Sequence, residues 1–477
     1  MNILLVKPQA HLATILGLQR FQLLEPLELG YLAAAVGPRH DVRILDLRLS
    51  ARADQALVHA LRRCQPDLVG FTGYTHESST VTRLARLVRE RLPRAVIVVG
   101  GHHATVEPGD FNQPFIDLIV RGEGCAPLAA IVAMLARGER PGGIPGVLCT
   151  GRDYDQAAAT GWPTFPDTAS LPTPRRDLWD AERYRSVWAA ESLRPWSSIF
   201  PKVATVRSSF GCKMKCSFCI VPHLSGGRHQ PRPVAQVVEE IALAPADHIY
   251  FSDDENFIDE SFAWNLAEGL ERRGVRKRYF AWARATTVLR SPELLRRWRQ
   301  IGLDAVFIGF EFPTNAELKR VAKGGTVAAN EQALDALRAM GIAVHAAFMV
   351  QPEYTDDEFA RLRSYVRALP PSQSSFTVCT PSPGTPDYEQ VRSAFWIDNP
   401  HDLHDCMHPL TPTALPLRQF TRLFAEQARE GIARTPLRLA RHPIMPRDMW
   451  RVWRADRAYY NGFRQSYRDY PRALWGD

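Results

Sequence analysis

The 477-residue sequence predicts an α/β protein: a doubly wound, Rossmann-like N-terminal domain, a partial (β/α)6 TIM-like barrel, and a helical C-terminal region. Three observations predict it. Short runs rich in Val, Ile and Leu alternate with helical stretches through the first 140 residues, the alternation returns from residue 203, and after residue 386 it gives way to helical, aromatic-rich sequence.

In the first unit, strands are expected at 2–6, 42–47, 68–72, 95–99 and 117–120, with helices at 26–36, closed by Gly37-Pro38, at 53–63 and at 79–92. Strands joined through helices run parallel and are covered on both faces, which explains their unbroken apolar character. A ligand of such a sheet lies beyond the carboxyl ends of the strands. The loops there are 7–11, 72–78, 100–105 and 121–125, rich in Gly, Thr and His. Prolines and tryptophans between 142 and 201 suggest an ordered linker. Strands then follow at 203–206, 248–251, 279–282, 305–308, 343–350 and 375–379, with helices such as 233–242 and 292–300 between them. Six strands with crossover helices make a partial parallel barrel the economical arrangement. The expected divisions are 1–141, a linker 142–197, a core 198–392 and a helical, Arg- and aromatic-rich region 393–477.

With 45% hydrophobic and 23% charged residues the composition is globular, which excludes a disordered or fibrous chain. The net charge of +8 is partly local, since residues 431–477 hold ten Arg, no Lys and four Asp. The segment Met1-Asn-Ile-Leu-Leu-Val-Lys-Pro is charged too early for a signal peptide, and no apolar run reaches the roughly 18 residues that span a bilayer. A cytoplasmic protein is expected. Of eight cysteines, Cys64, Cys125, Cys149, Cys379 and Cys406 are scattered, whereas Cys212, Cys216 and Cys219 fall within eight residues.

That cluster, Gly211-Cys-Lys-Met-Lys-Cys-Ser-Phe-Cys219, directly follows a strand. Three thiolates do not complete a tetrahedral zinc site without a fourth, distant ligand, but they hold three irons of a [4Fe-4S] cluster and leave the fourth open. The C-x3-C-x2-C spacing, with aromatic Phe218 before the last Cys, resembles the radical S-adenosylmethionine (SAM) superfamily. Later matches lie at Glu311, at 318–326 and at Ser382-Pro-Gly-Thr-Pro386. The resemblance implies that Cys212, Cys216 and Cys219 bind the cluster, that SAM chelates the open iron, and that its cleavage yields a 5'-deoxyadenosyl radical. The family often places Gly-Gly-Glu after the second strand to receive the SAM amine; here the sequence is Ser252-Asp-Asp-Glu-Asn-Phe257. Asp253 and Asp254 are the expected acceptors of the ammonium, and Arg284 and Glu311, each following a strand, the expected contacts of the SAM carboxylate and ribose.

In front of such a barrel, Pro26-Leu-Glu-Leu-Gly30, Thr72-Gly73-Tyr74-Thr75, Gly100-Gly101-His102 and Gly122-Glu123 look like the cobalamin-binding domain of the class B radical SAM methylases. Glycines at strand ends let backbone approach a bulky ligand, and hydroxyls and amides hold its nucleotide tail. The Asp-x-His-x-x-Gly pattern that supplies a lower axial histidine elsewhere is absent, since Gln9-Ala-His11 lacks its Asp and Gly. Cobalamin without a protein ligand on cobalt is expected; His11 and His76 are the remaining candidates beneath the corrin. The combination implies methyl transfer from SAM, via methylcobalamin, to an unactivated carbon.

In the tail, Trp450, Trp453, Arg457 and Tyr460 fall at helical spacings, as in a helix that lies against a membrane surface or in one whose aromatics pack on the barrel and whose arginines are solvated. With Cys406-Met-His-Pro-Leu-Thr-Pro412, the chain is similar to hopanoid C-3 methylases. That similarity implies C-3 of a triterpenoid lipid as the methylated position, with the residues around His408 in its pocket. The expected partners are this small molecule, an electron donor such as flavodoxin or ferredoxin, and the inner membrane face, with no nucleic acid. A related cobalamin-dependent enzyme that methylates or rearranges another natural product, peptide or phosphonate shares the same barrel sequence features. A tRNA methylthiotransferase would need a second cluster at Cys64, Cys125 and Cys149. A non-enzymatic cobalamin sensor would leave the cysteine triad without a role.

Overall fold

The computed structural model describes residues 1–151, 154, 167–190, 193–370, 372–432 and 442–476. They form two compact units: residues 1–11 with 26–180, and residues 12–25 with 181–477.

The first unit is a six-stranded sheet of β1 (Asn2–Lys7), β2 (Asp41–Asp46), β3 (Leu68–Thr72), β4 (Val96–Gly100), β5 (Leu118–Val120) and β6 (Val147–Cys149) in the order β2-β1-β3-β4-β5-β6. The first five run parallel, as expected, and β6 adds an antiparallel edge from within the presumed linker. Alternate residues of β1 show why its sequence is apolar throughout. Leu4 and Val6 pack on one face with Leu57, Leu61, Val81 and Leu84, while Ile3 and Leu5 pack on the other with Leu29, Ala33 and Leu128.

The second unit holds β7 (Val203–Val206), β8 (His248–Phe251), β9 (Arg278–Ala283), β10 (Leu303–Glu311), β11 (Ala343–Val350) and β12 (Gln373–Val378), all parallel and in sequential order. Side-chain alternation divides the sheet into two faces. Ala204, Val206, Ile249, Phe251, Tyr279, Ala281, Val306, Ile308, Val344, Ala346 and Phe348 turn outward into the main core beneath the helices. Val203, Tyr250, Phe280 and Ala305 turn the other way and form a smaller cluster with Trp188, against which Trp282 and Phe307 pack. Trp188 closes this inner face at the strand N-termini, its indole N–H donating to Asp304 at 2.9 Å and its ring edge-on to His248.

Two features of this unit were absent from the sequence expectation. A short helix, Ala13–Leu18, packs against the C-terminal helix Pro446–Gln465. A Cβ on Gly17 would stand 2.8 Å from the Tyr459 backbone and one on Gly462 would stand 2.9 Å from the Ala13 carbonyl, so both crossing points require glycine. Buried Glu25 then accepts the Thr205 N–H of edge strand β7 at 2.8 Å. Among the described residues, no helix is long and apolar enough to cross a membrane.

Candidate active site

Because the six barrel strands are parallel, the loops after them share one edge. The cysteine loop follows β7 and is fastened from three directions. Gly211 opens it at φ +81°, where a Cβ would meet the Arg228 carbonyl at 2.2 Å, so only glycine turns the chain here. From the loop after β8, Asp253 accepts from Ser208 N, Ser208 Oγ and Ser209 Oγ at 2.6–2.9 Å, and Asp254 accepts from Gly211 N at 2.8 Å and from Arg207 at 3.0 Å. On the far side, Ser217 donates to Asp387 at 2.8 Å and Ser217 N to the Val321 carbonyl at 3.1 Å. Phe218 packs with Phe312, Leu318, Val321 and Met349.

These bonds involve both expected acceptors of the SAM amine. Asp253 is fully engaged in buckling the start of the cysteine loop to β8, whereas Asp254 spends one oxygen, Oδ2, on the same loop. The next residue differs. Glu255 is 2% exposed, its Oε1 accepts from Phe257 N, and its Oε2 is buried without a hydrogen-bond partner. Burial pushes its carboxyl up to about 8, against the opposing pull of the Phe257 N–H, the charges of Arg284 and Arg290 and the backbone N–H of Arg284. A buried carboxylate oxygen with no donor is costly unless a ligand supplies one.

Arg284 begins the loop after β9. Its Nη1 lies 3.7 Å from Cys216 Sγ, its Nη2 donates to the Lys323 carbonyl, and its Nε is buried without a partner. Glu311 ends β10 at φ +63°, paired with Lys323, and Gly309 leaves the space that its carboxylate fills. Through this ion pair Glu311 is tied to the loop after β10. All three cysteines are free thiols; burial pushes Cys219 up to about 12 and raises Cys212 as well. Such thiols ionise when bound iron offsets their desolvation. Three neighbouring thiols, an adjacent guanidinium and a carboxylate with one unpartnered oxygen fit an iron–sulfur cluster carrying a zwitterionic ligand.

In the first unit, the loops after β3 and β4 are pressed together. Gly101, at φ +99°, allows this, since a Cβ would stand 2.6 Å from Thr72 Oγ1 and 2.9 Å from Gly73 N. Thr75 Oγ1 is buried without a hydrogen-bond partner, and exposed Tyr74 lies under Lys7 Nζ at 4.9 Å and beside His102 at 6.0 Å. Lys7 is held by Glu28 at 2.8 Å. The loop after β5 joins them through Gly122 N, which donates to Thr105 Oγ1 at 2.9 Å, while Glu123 caps the next helix through Cys125 N at 2.8 Å. Gly100 ends β4 with no close approach that requires glycine. This backbone-lined cradle, with an orphaned hydroxyl and an exposed aromatic, fits a nucleotide tail. His11 is exposed and His76 stacks on Tyr74.

His408, whose Pro and Thr neighbours were the expected pocket residues, is itself held inside the fold. It is fully buried, with Nδ1 2.9 Å from Asp405 and Nε2 3.1 Å from Asp469, and Asp405 also accepts from Thr14 at 2.6 Å. It is a structural tie.

Comparison with known proteins agrees with both units. Residues 13–132 match the B12 binding domain family and residues 206–366 the radical SAM superfamily. The hopanoid C-3 methylase of Methylococcus capsulatus is 29% identical over 406 residues, covering 84% of this chain and 75% of that protein. Among solved structures, the cobalamin-dependent radical SAM enzyme OxsB aligns with a TM-score of 0.62 at 19% identity, over 84% of this chain and 56% of that one. The radical SAM methyltransferase TsrM from Kitasatospora setae aligns with a TM-score of 0.57 at 21% identity, over 79% of this chain and 74% of that one. The chain belongs to the cobalamin-binding class of radical SAM enzymes. Within that class it is a radical SAM methyltransferase, and its cofactors are cobalamin, a [4Fe-4S] cluster and SAM.

Proposed function

We propose that this enzyme transfers a methyl group from SAM, by way of cobalamin, to an unactivated carbon, and that the acceptor is C-3 of a hopanoid lipid. When bound, the cofactors supply the electron, the hydrogen-abstracting radical and the methyl group. In this reading Cys212, Cys216 and Cys219 hold the cluster, Glu255 receives the SAM ammonium, and Arg284 faces its carboxylate while stabilising the Cys216 thiolate. Thr72, Gly73, Tyr74, Thr75, Gly101 and His102 cradle the cobalamin tail, and Phe218 walls the SAM side of the cluster loop.

The observation that supports the acceptor is the inner face of the barrel. Tyr250 stacks on Phe280 at 4.7 Å, Trp282 lies 4.2 Å from Phe307, and Phe307 lies 4.9 Å from His345. Burial lowers His345 to about 4, so it is neutral at physiological pH. Apart from the Arg278–Asp304 pair at the strand N-termini, the wall is aromatic, suited to a polycyclic hydrocarbon. The test is expression in a hopanoid-making host that lacks this methylase, with lipid profiling by mass spectrometry and Cys216→Ala as control. A hopanoid heavier by one methylene, absent in the control, is expected. Cofactor-loaded protein without that product would discard the lipid and retain the cofactors.

A further inference from the structure

Seven large apolar side chains are exposed among the described residues, and four belong to one region: Trp196, Met449, Trp450 and Trp453, each 54–58% exposed. The last three share a face of the helix Pro446–Gln465, and Trp196 is brought to the start of that helix by its backbone N–H, which donates to the Pro443 carbonyl at 2.9 Å. Charge on this helix is sorted by face. Arg447, Arg451, Arg454, Arg457 and Arg464 are exposed, whereas both acids turn inward: Asp448 accepts from Ser198 Oγ and Ile199 N and lies 4.0 Å from Arg447 and 3.6 Å from Arg451, and Asp456 accepts from Arg429. Arg454 lies over the Trp450 ring at 4.5 Å and Arg457 over Trp453 at 5.7 Å. Tyr459 and Phe463, from the same sequence, are buried and fix the helix to the barrel core.

We infer that this ridge is a docking surface for an anionic phospholipid bilayer. Exposed indoles flanked by guanidiniums, with no carboxylate on the same face, match an interface where tryptophan sits at headgroup depth and arginine pairs with phosphate. Charge complementarity selects the lipid, since Arg454 and Arg457, which stand over the exposed indoles, would repel the same pair on a second copy. The inference stands apart from the acceptor assignment.

The test is flotation of the full-length, cofactor-loaded protein with vesicles of phosphatidylcholine alone and of phosphatidylcholine with phosphatidylglycerol. Binding to the anionic vesicles, with a blue shift of tryptophan emission, is expected. Trp450→Ala/Trp453→Ala should abolish the shift and weaken partitioning by about tenfold, while Arg454→Gln/Arg457→Gln should weaken it by about tenfold on anionic vesicles only. Retained iron and cobalamin would show that the variants fold, and the arginine pair, which removes no apolar contact, serves if the tryptophan pair does not. Absence of flotation, flotation undiminished in both variants, or a dimer in sedimentation that the tryptophan variant converts to monomer would overturn the inference.

Discussion

The Arg284 guanidinium reaches to 3.7 Å from Cys216 Sγ while its other terminal nitrogen donates to the Lys323 carbonyl. A cation fixed beside one cluster thiolate stabilises the reduced, more negative state. Arg284→Met should keep the cluster and shift its reduction potential by about 50 mV to the negative, roughly 1 kcal/mol for one electron. Spectroelectrochemical titration monitored by electron paramagnetic resonance reads this directly, and an unchanged potential would deny the arginine that role.

Glu255 and Asp253, two residues apart, should fail differently. Glu255→Gln removes the charge that meets an ammonium and should weaken SAM binding by roughly 1.5–3 kcal/mol with iron content unchanged. Asp253→Ala strips three donors of their acceptor and should cost iron itself, because the cysteine loop loses its fastening. Equilibrium dialysis of SAM alongside iron quantitation separates the two.

His408 makes stability depend on pH. Burial alone would lower its pKa, but Asp405 and Asp469 outweigh that and raise it to about 9. A folded-state value above the unfolded one stabilises fully below about 6.5 and is lost as pH rises through 9, with roughly 3 kcal/mol as the upper bound. The thermal midpoint should fall across that window in the parent protein. In His408→Gln it should be lower and much flatter.

Gly101→Ala places a methyl group against Thr72 and demands a left-handed backbone from a residue with a Cβ. Cobalamin retention, read by visible absorbance, should fall at least about tenfold while iron stays in the other unit.

The cysteine triad and most strands were legible because each is written locally, as fixed spacing or an apolar run bounded by glycine. The different surroundings of Asp253, Asp254 and Glu255 were not, since three adjacent acids look alike until Ser208, Ser209 and Gly211 reach the first two from the loop after another strand. The helix at 13–18 escaped because a six-residue element has little periodicity and owes its place to Tyr459 and Gly462, more than 400 positions away. Likewise the tie at His408 was not legible, because one of its two partners, Asp469, lies 61 positions distant. Tail aromatics fell into two groups, Tyr459 and Phe463 inside and Trp450 and Trp453 outside, which spacing could group but not orient.

The most direct test of the central claim is an anaerobic single-turnover assay of the reconstituted enzyme with reductant, SAM and hopanoid, quantifying 5'-deoxyadenosine, S-adenosylhomocysteine and methylated lipid together. Two SAM molecules serving two roles predict the three products in equal amounts. S-adenosylhomocysteine and methylated product without deoxyadenosine would contradict radical methylation of an unactivated carbon.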